Sequence, residues 1–363
     1  MLRVDRRLLR NVDWALLSTA LFVIALSLVS MWSLALGRVG TPLLSRQLSW
    51  VAIGLVAMLA VASLDYRTLV RFAPAFYVTG LVLLMSVFVL GRTVSGARRW
   101  IHVGSITIQP SELFKLIVVV ALAWALTWRL EQAPSGGTVL LSLALVGVPF
   151  VLVVRQPDLG TALVLIPVVI AVLIGVGVRL RSLGALALAG LATLPLAWRA
   201  LKPYQQDRLL VYLDPFRDPL GTAYNVIQAK IAIGSGQLLG KGVSGATQSR
   251  LAFLPERHTD FIFAVFAEMW GFVGCIVLIV AYVLLVLRGF EIAASTRDPQ
   301  GRVLALGVTA VFAAQILINL GMVTGLLPVV GIPLPLMSYG GSSMVASLMG
   351  LGLLLSIRMR QFR

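Results

Sequence analysis
From Leu251 to Gly274 the chain reads LAFLPERHTDFIFAVFAEMWGFVG. Glu256, Arg257, His258 and Asp260 crowd two carboxylates, a guanidinium and an imidazole onto the start of an apolar run. A carboxylate in that setting can take a proton from a hydroxyl, the work of a general base. The positive end of the helix that follows would hold Asp260 ionised for that task. Asp260 could instead only cap the helix, since Asp is a preferred capping residue. The crowding of ionisable groups, and a deeper acid, Glu268, two turns on, weigh toward chemistry. An acid inside a membrane span is a functional candidate by default. Asp260 is therefore the expected catalytic residue, with Glu256, Arg257 and His258 placed to orient it.

Other polar residues gather in four further stretches. Residues 91–110 read GRTVSGARRWIHVGSITIQP. Arg98 and Arg99 beside Trp100 and His102 fit either an interfacial loop or a grip on a phosphate. Gln109-Pro110-Ser111-Glu112 opens a helix with proline and acid in its first turn. Lys115 lies on the same face as Glu112, so an internal ion pair is the preferred reading and a share in a substrate cavity the second. Gln156-Pro157-Asp158 repeats the pattern, and Asp158 either caps its helix or helps hold a cation. Gly234, Gly236, Gly240 and Gly242 surround Lys241. That segment either wraps a phosphate through its N–H groups or hinges, and it has no Walker A spacing. Finally, LLPVVGIPLPLMSYGGSSMVASLMG at 326–350 breaks any regular helix, as backbone lining a cavity can. Ser338, Tyr339, Ser342 and Ser343 supply its neutral hydrogen-bonding groups, and Asn319 is a buried polar residue in need of a partner.

The elements that must position these groups are membrane helices. Of 363 residues, 59% are hydrophobic and 12% charged, with a mean hydropathy of +0.96. Apolar runs of about 20 residues match a bilayer's hydrocarbon core. Ten are expected, at about 14–36, 48–64, 73–90, 111–128, 138–154, 158–177, 182–200, 260–287, 303–326 and 336–357. The fold class is all-α, a single polytopic membrane domain with a large loop at about 201–259 between helices 7 and 8. The first run is too long for a cleaved signal peptide and is expected to serve as its own anchor. An even count puts both termini on one side. Arg3, Arg6, Arg7 and Arg10 precede the first run, and Arg358, Arg360 and Arg363 follow the last. With both ends cytoplasmic, the inner loops also collect Arg67, Arg71, Arg129, Arg179, Arg181, Arg288, Arg297 and Arg302, as the positive-inside rule asks. The outer loops hold Arg38, Arg46, Arg92, Arg98, Arg99 and Arg155. The long loop is then extracytoplasmic, and within it Ala223, Val226, Ile227 and Ile231 predict an amphipathic helix lying on the membrane. The net charge of +16 suits anionic lipid rather than nucleic acid. A lone cysteine, Cys275, excludes an internal disulfide and a cysteine-based metal cluster.

PERHTDFIFAV (255–265), GIPLPLMSYGGSS (331–343), QPSELFK (109–115), QPDLGTAL (156–163) and IGSGQLLGKG (233–242) together resemble the SEDS family, for shape, elongation, division and sporulation. The resemblance covers nearly the whole chain, in order. It implies a peptidoglycan glycosyltransferase that polymerises lipid II on the outer face of the bacterial cytoplasmic membrane. It also implies a class B penicillin-binding protein as partner, and a divalent cation, magnesium or manganese, as a support of activity. The family's essential aspartate falls on Asp260, and its paired acid and lysine on Glu112 and Lys115. The family commonly carries two adjacent acids where this chain has Glu268-Met269, so a role needing both is in doubt here.

The implied reaction has a sugar hydroxyl displacing a polyprenyl pyrophosphate from an anomeric carbon. It needs one base, cations for the pyrophosphate, and alignment. Asp260 supplies the base; Arg98, Arg99, Lys241 or a bound cation would offset phosphate charge. Two readings from other classes remain: a flippase for lipid-linked sugars, and a non-catalytic scaffold for the penicillin-binding partner. A flippase needs ionisable groups through the depth of the membrane, and a scaffold would tolerate loss of Asp260.

Overall fold
The computed structural model describes residues 11–36, 43–94, 97–104, 106–127, 136–201, 203–214, 218, 221, 223–246 and 254–361. Arg3, Arg6, Arg7, Arg10, Arg38, Arg129 and Arg363, and residues 251–253 of the opening stretch, lie outside them. The long helices are α1 (Trp14–Ala35), α2 (Leu43–Ser63), α4 (Ala73–Leu90), α5 (Pro110–Thr127), α6 (Gly136–Arg155), α7 (Leu159–Gly175), α8 (Leu180–Ala200), α12 (Ile262–Ser295), α13 (Pro299–Thr324) and α14 (Gly341–Arg360). Eight are long and apolar enough to cross a membrane; α7 and the apolar part of α8, Leu180–Thr193, are shorter. Each expected apolar run thus corresponds to a helix. Short helices α3 (Tyr66–Arg71), α9 (Pro203–Leu213), α10 (Tyr224–Ser235) and α11 (Gly242–Gly245) join them.

Aspartates start several helices. Asp13 accepts from Leu16 N at 2.9 Å, Asp158 from Thr161 N at 3.3 Å and Asp298 from Gly301 N at 3.1 Å. Each satisfies an N–H that has no partner within the helix. α5, α13 and α14 are the most buried helices, whereas α2 and α4 turn most of their surface outward. α8 stands apart: none of its residues with a described exposure is buried.

The two described chain ends meet. Asn11–Ala15 at the head of α1, Arg288 of α12 and Arg358 of α14 line one cavity of about 310 Å³. Both ends are therefore on one face of the bundle. The residues named for chemistry lie on the other.

The stretch 91–110, read as either an interfacial loop or a grip on a phosphate, is a three-stranded antiparallel sheet: β1 (Arg92–Val94), β2 (Ala97–Val103) and β3 (Ile106–Ile108). Its alternating β-branched and aromatic residues suit strands, and Gly104, at φ 62°, supplies the turn after β2. Arg92 pairs with Trp100 and Thr93 with Arg98, so Arg99 is the extra residue of a bulge.

α12 is broken. Gly271 has φ 63° and ψ −162°, outside helical space. The turn after α10 fills the break: Gln237 and Leu238 carbonyls accept from Phe272 and Val273 N–H at 2.8 and 3.1 Å. Above the break, Phe261 to Met269 are buried on every side. Of the apolar face expected for α10, Ala223 is buried and Ile231 is exposed. α10 docks on α12 and α13 through Ala229 and Ala232, and Ile231 is 44% exposed. Close approach is the reason: a Cβ on Gly236 would stand 2.1 Å from the Ala267 carbonyl oxygen, so only small residues fit that face.

Candidate active site
Asp260 ends the turn that leads into the buried half of α12. Its carbonyl accepts from Asn319 Nδ2 at 2.9 Å, and the same nitrogen donates to Ile332 O at 2.7 Å. Asn319 thus ties Asp260 to the irregular segment between α13 and α14. At Gly331, φ 72°, a Cβ would lie 3.2 Å from Asp260 Oδ2, so the backbone of that segment forms one wall beside the carboxylate.

Side chains hold this wall. Ser338 Oγ donates to Thr259 O at 2.6 Å and accepts from Leu334 N at 2.7 Å. Tyr339 N donates to His258 O at 2.8 Å, and the two rings meet edge-on at 5.5 Å. From below, Ser27 Oγ donates to Met337 O, Gln47 Nε2 to Ser338 O and Tyr282 OH to Pro335 O, at 2.7, 3.3 and 2.8 Å. Irregular backbone at membrane depth survives only with such partners. Ser27, Gln47 and Tyr282 escaped the sequence reading. Their signal was that of lone polar residues inside apolar helices. Ser342 Oγ accepts from Gln109 N at 2.9 Å, and Ser343 is buried beside it at the head of α14.

Asp158 is a hub. Its Oδ2 accepts from Gln109 Nε2 at 2.9 Å and Ser111 Oγ at 3.1 Å, and Arg99 Nη1 lies 3.5 Å from Oδ1. At 1% exposure it joins the starts of α5 and α7 to the sheet. Arg98 goes elsewhere, donating to Phe88 O at the end of α4 at 2.8 Å. The two arginines therefore make no shared grip. Glu112 and Lys115 form the expected internal ion pair, 2.9 Å apart and 3% exposed. The void beside them, shared with Gln315 and Ser347, measures about 10 Å³, room for about one water and not for a sugar. Lys241 Nζ lies 3.4 Å from Glu268 Oε1, and Glu268 is fully buried. With a single acid there, one lysine balances the charge.

The turn itself is polar and half-buried. Glu256 adopts φ 49°, and its Oε2 accepts from Thr259 Oγ1 at 3.0 Å. Burial lowers the pKa of Arg257 from the ordinary guanidinium value. Burial also lowers that of His258; Glu256 opposes the shift and Arg257 adds to it. His258 is accordingly neutral near pH 7. Among the described residues no three His, Cys, Asp or Glu side chains converge. That donor set does not build a protein cage for a divalent cation.

The family described as Cell cycle protein, which covers FtsW, RodA and SpoVE, matches residues 7–362. Peptidoglycan glycosyltransferase MrdB of Escherichia coli (strain K12) is 40% identical over 348 residues, 96% of this chain and 93% of that protein. Stage V sporulation protein E of Bacillus subtilis (strain 168) is 37% identical over 318 residues, 86% of each chain. Among solved structures, a chain from work on the structural coordination of polymerization and crosslinking by a peptidoglycan synthase complex aligns with a TM-score of 0.82 at 35% identity, covering 97% of this chain and 99% of that one. The rod shape determining protein RodA of Thermus thermophilus aligns with a TM-score of 0.73 at 33% identity, covering 97% and 98%.

Proposed function
The chain belongs to the cell cycle protein family of FtsW, RodA and SpoVE, and from that premise we infer its function: it is a multi-pass membrane peptidoglycan glycosyltransferase that builds glycan strands from lipid II. The acceptor sugar's 4-hydroxyl attacks the donor's anomeric carbon. The new C–O bond forms as the bond to the polyprenyl pyrophosphate breaks, and the pyrophosphate leaves with the bonding pair. Asp260 takes the hydroxyl proton. So good a leaving group needs no general acid, unlike the leaving oxygen in glycoside hydrolysis. General-base help of this kind is worth about 10²–10⁴-fold, and alignment of two lipid-anchored substrates adds to it.

The observation that carries this reading is the setting of Asp260. It ends a half-buried polar turn, its carbonyl is held by Asn319, and the Gly331 backbone walls its carboxylate. Asp260→Asn and Asp260→Ala are expected to abolish polymerisation of purified lipid II while the melting temperature stays near wild type. Strands of normal length on a gel would refute the assignment.

Cytoplasmic termini and an outward-facing Asp260 follow from the charge bias of the loops, with the shared end of Asn11, Arg288 and Arg358 in support. A class B penicillin-binding protein is the proposed partner, and elongation the proposed process. The likeness to a synthase complex that joins polymerization and crosslinking supports the first, and the likeness to rod shape determining RodA the second.

A further inference from the structure
The departing pyrophosphate needs a cation, and the described candidates named above are Arg98, Arg99, Lys115, Lys241 and Arg257. Four are engaged. Arg98 donates to the Phe88 carbonyl, Arg99 faces Asp158, Lys115 is paired with Glu112 and Lys241 with Glu268. Arg257 differs. Its Nη1 is buried and has no hydrogen-bond partner among the described residues; Arg99 Nε is also unpartnered, but that guanidinium already faces the Asp158 carboxylate. The acid next to it, Glu256, has its Oε2 bonded to Thr259 instead. Glu256 also holds a left-handed φ of 49°, unfavourable for a side chain of its size. A desolvated guanidinium N–H without an acceptor is costly, and a strained turn that maintains it is costlier. The first cost is relieved if a ligand supplies the acceptor.

We propose that Arg257 receives the pyrophosphate of the lipid-linked donor, the group that leaves as Asp260 takes the acceptor's proton. This rests on the reading of the chain as a lipid II polymerase. Hydroxyl and leaving group act on the same carbon, so the base and the cation must stand close together. Arg257 and Asp260 share one turn, three residues apart. A guanidinium fork also matches two phosphate oxygens at once, which an ammonium cannot do. As the C–O bond to the phosphate breaks, the bonding pair moves onto an oxygen that Arg257 neutralises.

The test is binding of undecaprenyl pyrophosphate, which lacks both sugar and peptide, to the full chain in nanodiscs. Gly190→Ala, in α8 and away from the site, should bind it as wild type does. Arg257→Gln should weaken binding about 10–100-fold, as expected for loss of a charge-assisted bidentate contact. It should weaken undecaprenyl monophosphate less. Arg257→Lys, which keeps the charge and should fold even if Arg257→Gln does not, should fall between. Wild-type affinity in either arginine variant would overturn the proposal, as would equal losses for the two lipids. Normal polymerisation by Asp260→Asn would instead overturn the assignment of the base, a separate result.

Discussion
His258 serves the site through its backbone as well as its ring. Its carbonyl anchors Tyr339, and the ring packs edge-on against that tyrosine. Burial keeps the folded chain from taking a proton there. Above pH about 6.5 the imidazole is neutral whether folded or unfolded and contributes no slope. Below it the unfolded chain binds the proton first, so stability falls until the pH passes the lower folded pKa. The melting temperature of the wild type should drop through this window, and that of His258→Gln should drop less. Equal slopes would place the effect on another group. Asp260 was legible because a carboxylate at the mouth of an apolar run stands out in one dimension. The commitments of Arg99 and Lys241 were not. Each is decided by an acid far along the chain, and for Arg99 by a bulge that re-aims it.

At the scale of elements, the helices were legible and their mutual packing was not. Hydropathy marks any run of about 20 apolar residues, but it cannot tell the central α5 from the outlying α8. Nor could it find the break in α12, where Gly271 looks like one more small residue in an apolar sequence. Nor does the apolar face of α10 name the side that docks on α12, where close packing selects alanine and glycine. Gly271→Ala should therefore damage the fold. Its Cβ would lie 2.3 Å from Gly240 N, and the backbone angle alone costs about 1–3 kcal/mol. Gly190→Ala in α8, where nothing lies within 4 Å, should be neutral or slightly stabilising. Melting curves of the two variants side by side measure the difference. Equal melting temperatures would mean that the break at Gly271 is not required.

For the whole molecule, the length of α12 carries a consequence for the bilayer around it. Its 34 residues, interrupted at Gly271, would span at most roughly 51 Å at about 1.5 Å each, against a hydrocarbon thickness of about 30 Å. Arg288, ion-paired with Glu291, marks the lower edge of the apolar zone. Counting about 20 residues upward from there reaches Glu268 and its lysine, which puts that pair at the upper edge. Asp260, before the first turn of α12, then stands above that edge, toward the lipid head groups. A substrate held by its tail in the membrane would present its sugar at that height without leaving the bilayer. The helix acts as a ruler, and hydrophobic mismatch should detune it. Polymerisation in nanodiscs should be fastest near the native thickness. It should fall several-fold when longer acyl chains raise the hydrocarbon edge toward Asp260, or shorter ones sink the donor beneath it. A rate indifferent to chain length would mean that the long loop, not the membrane, sets the height of the substrate.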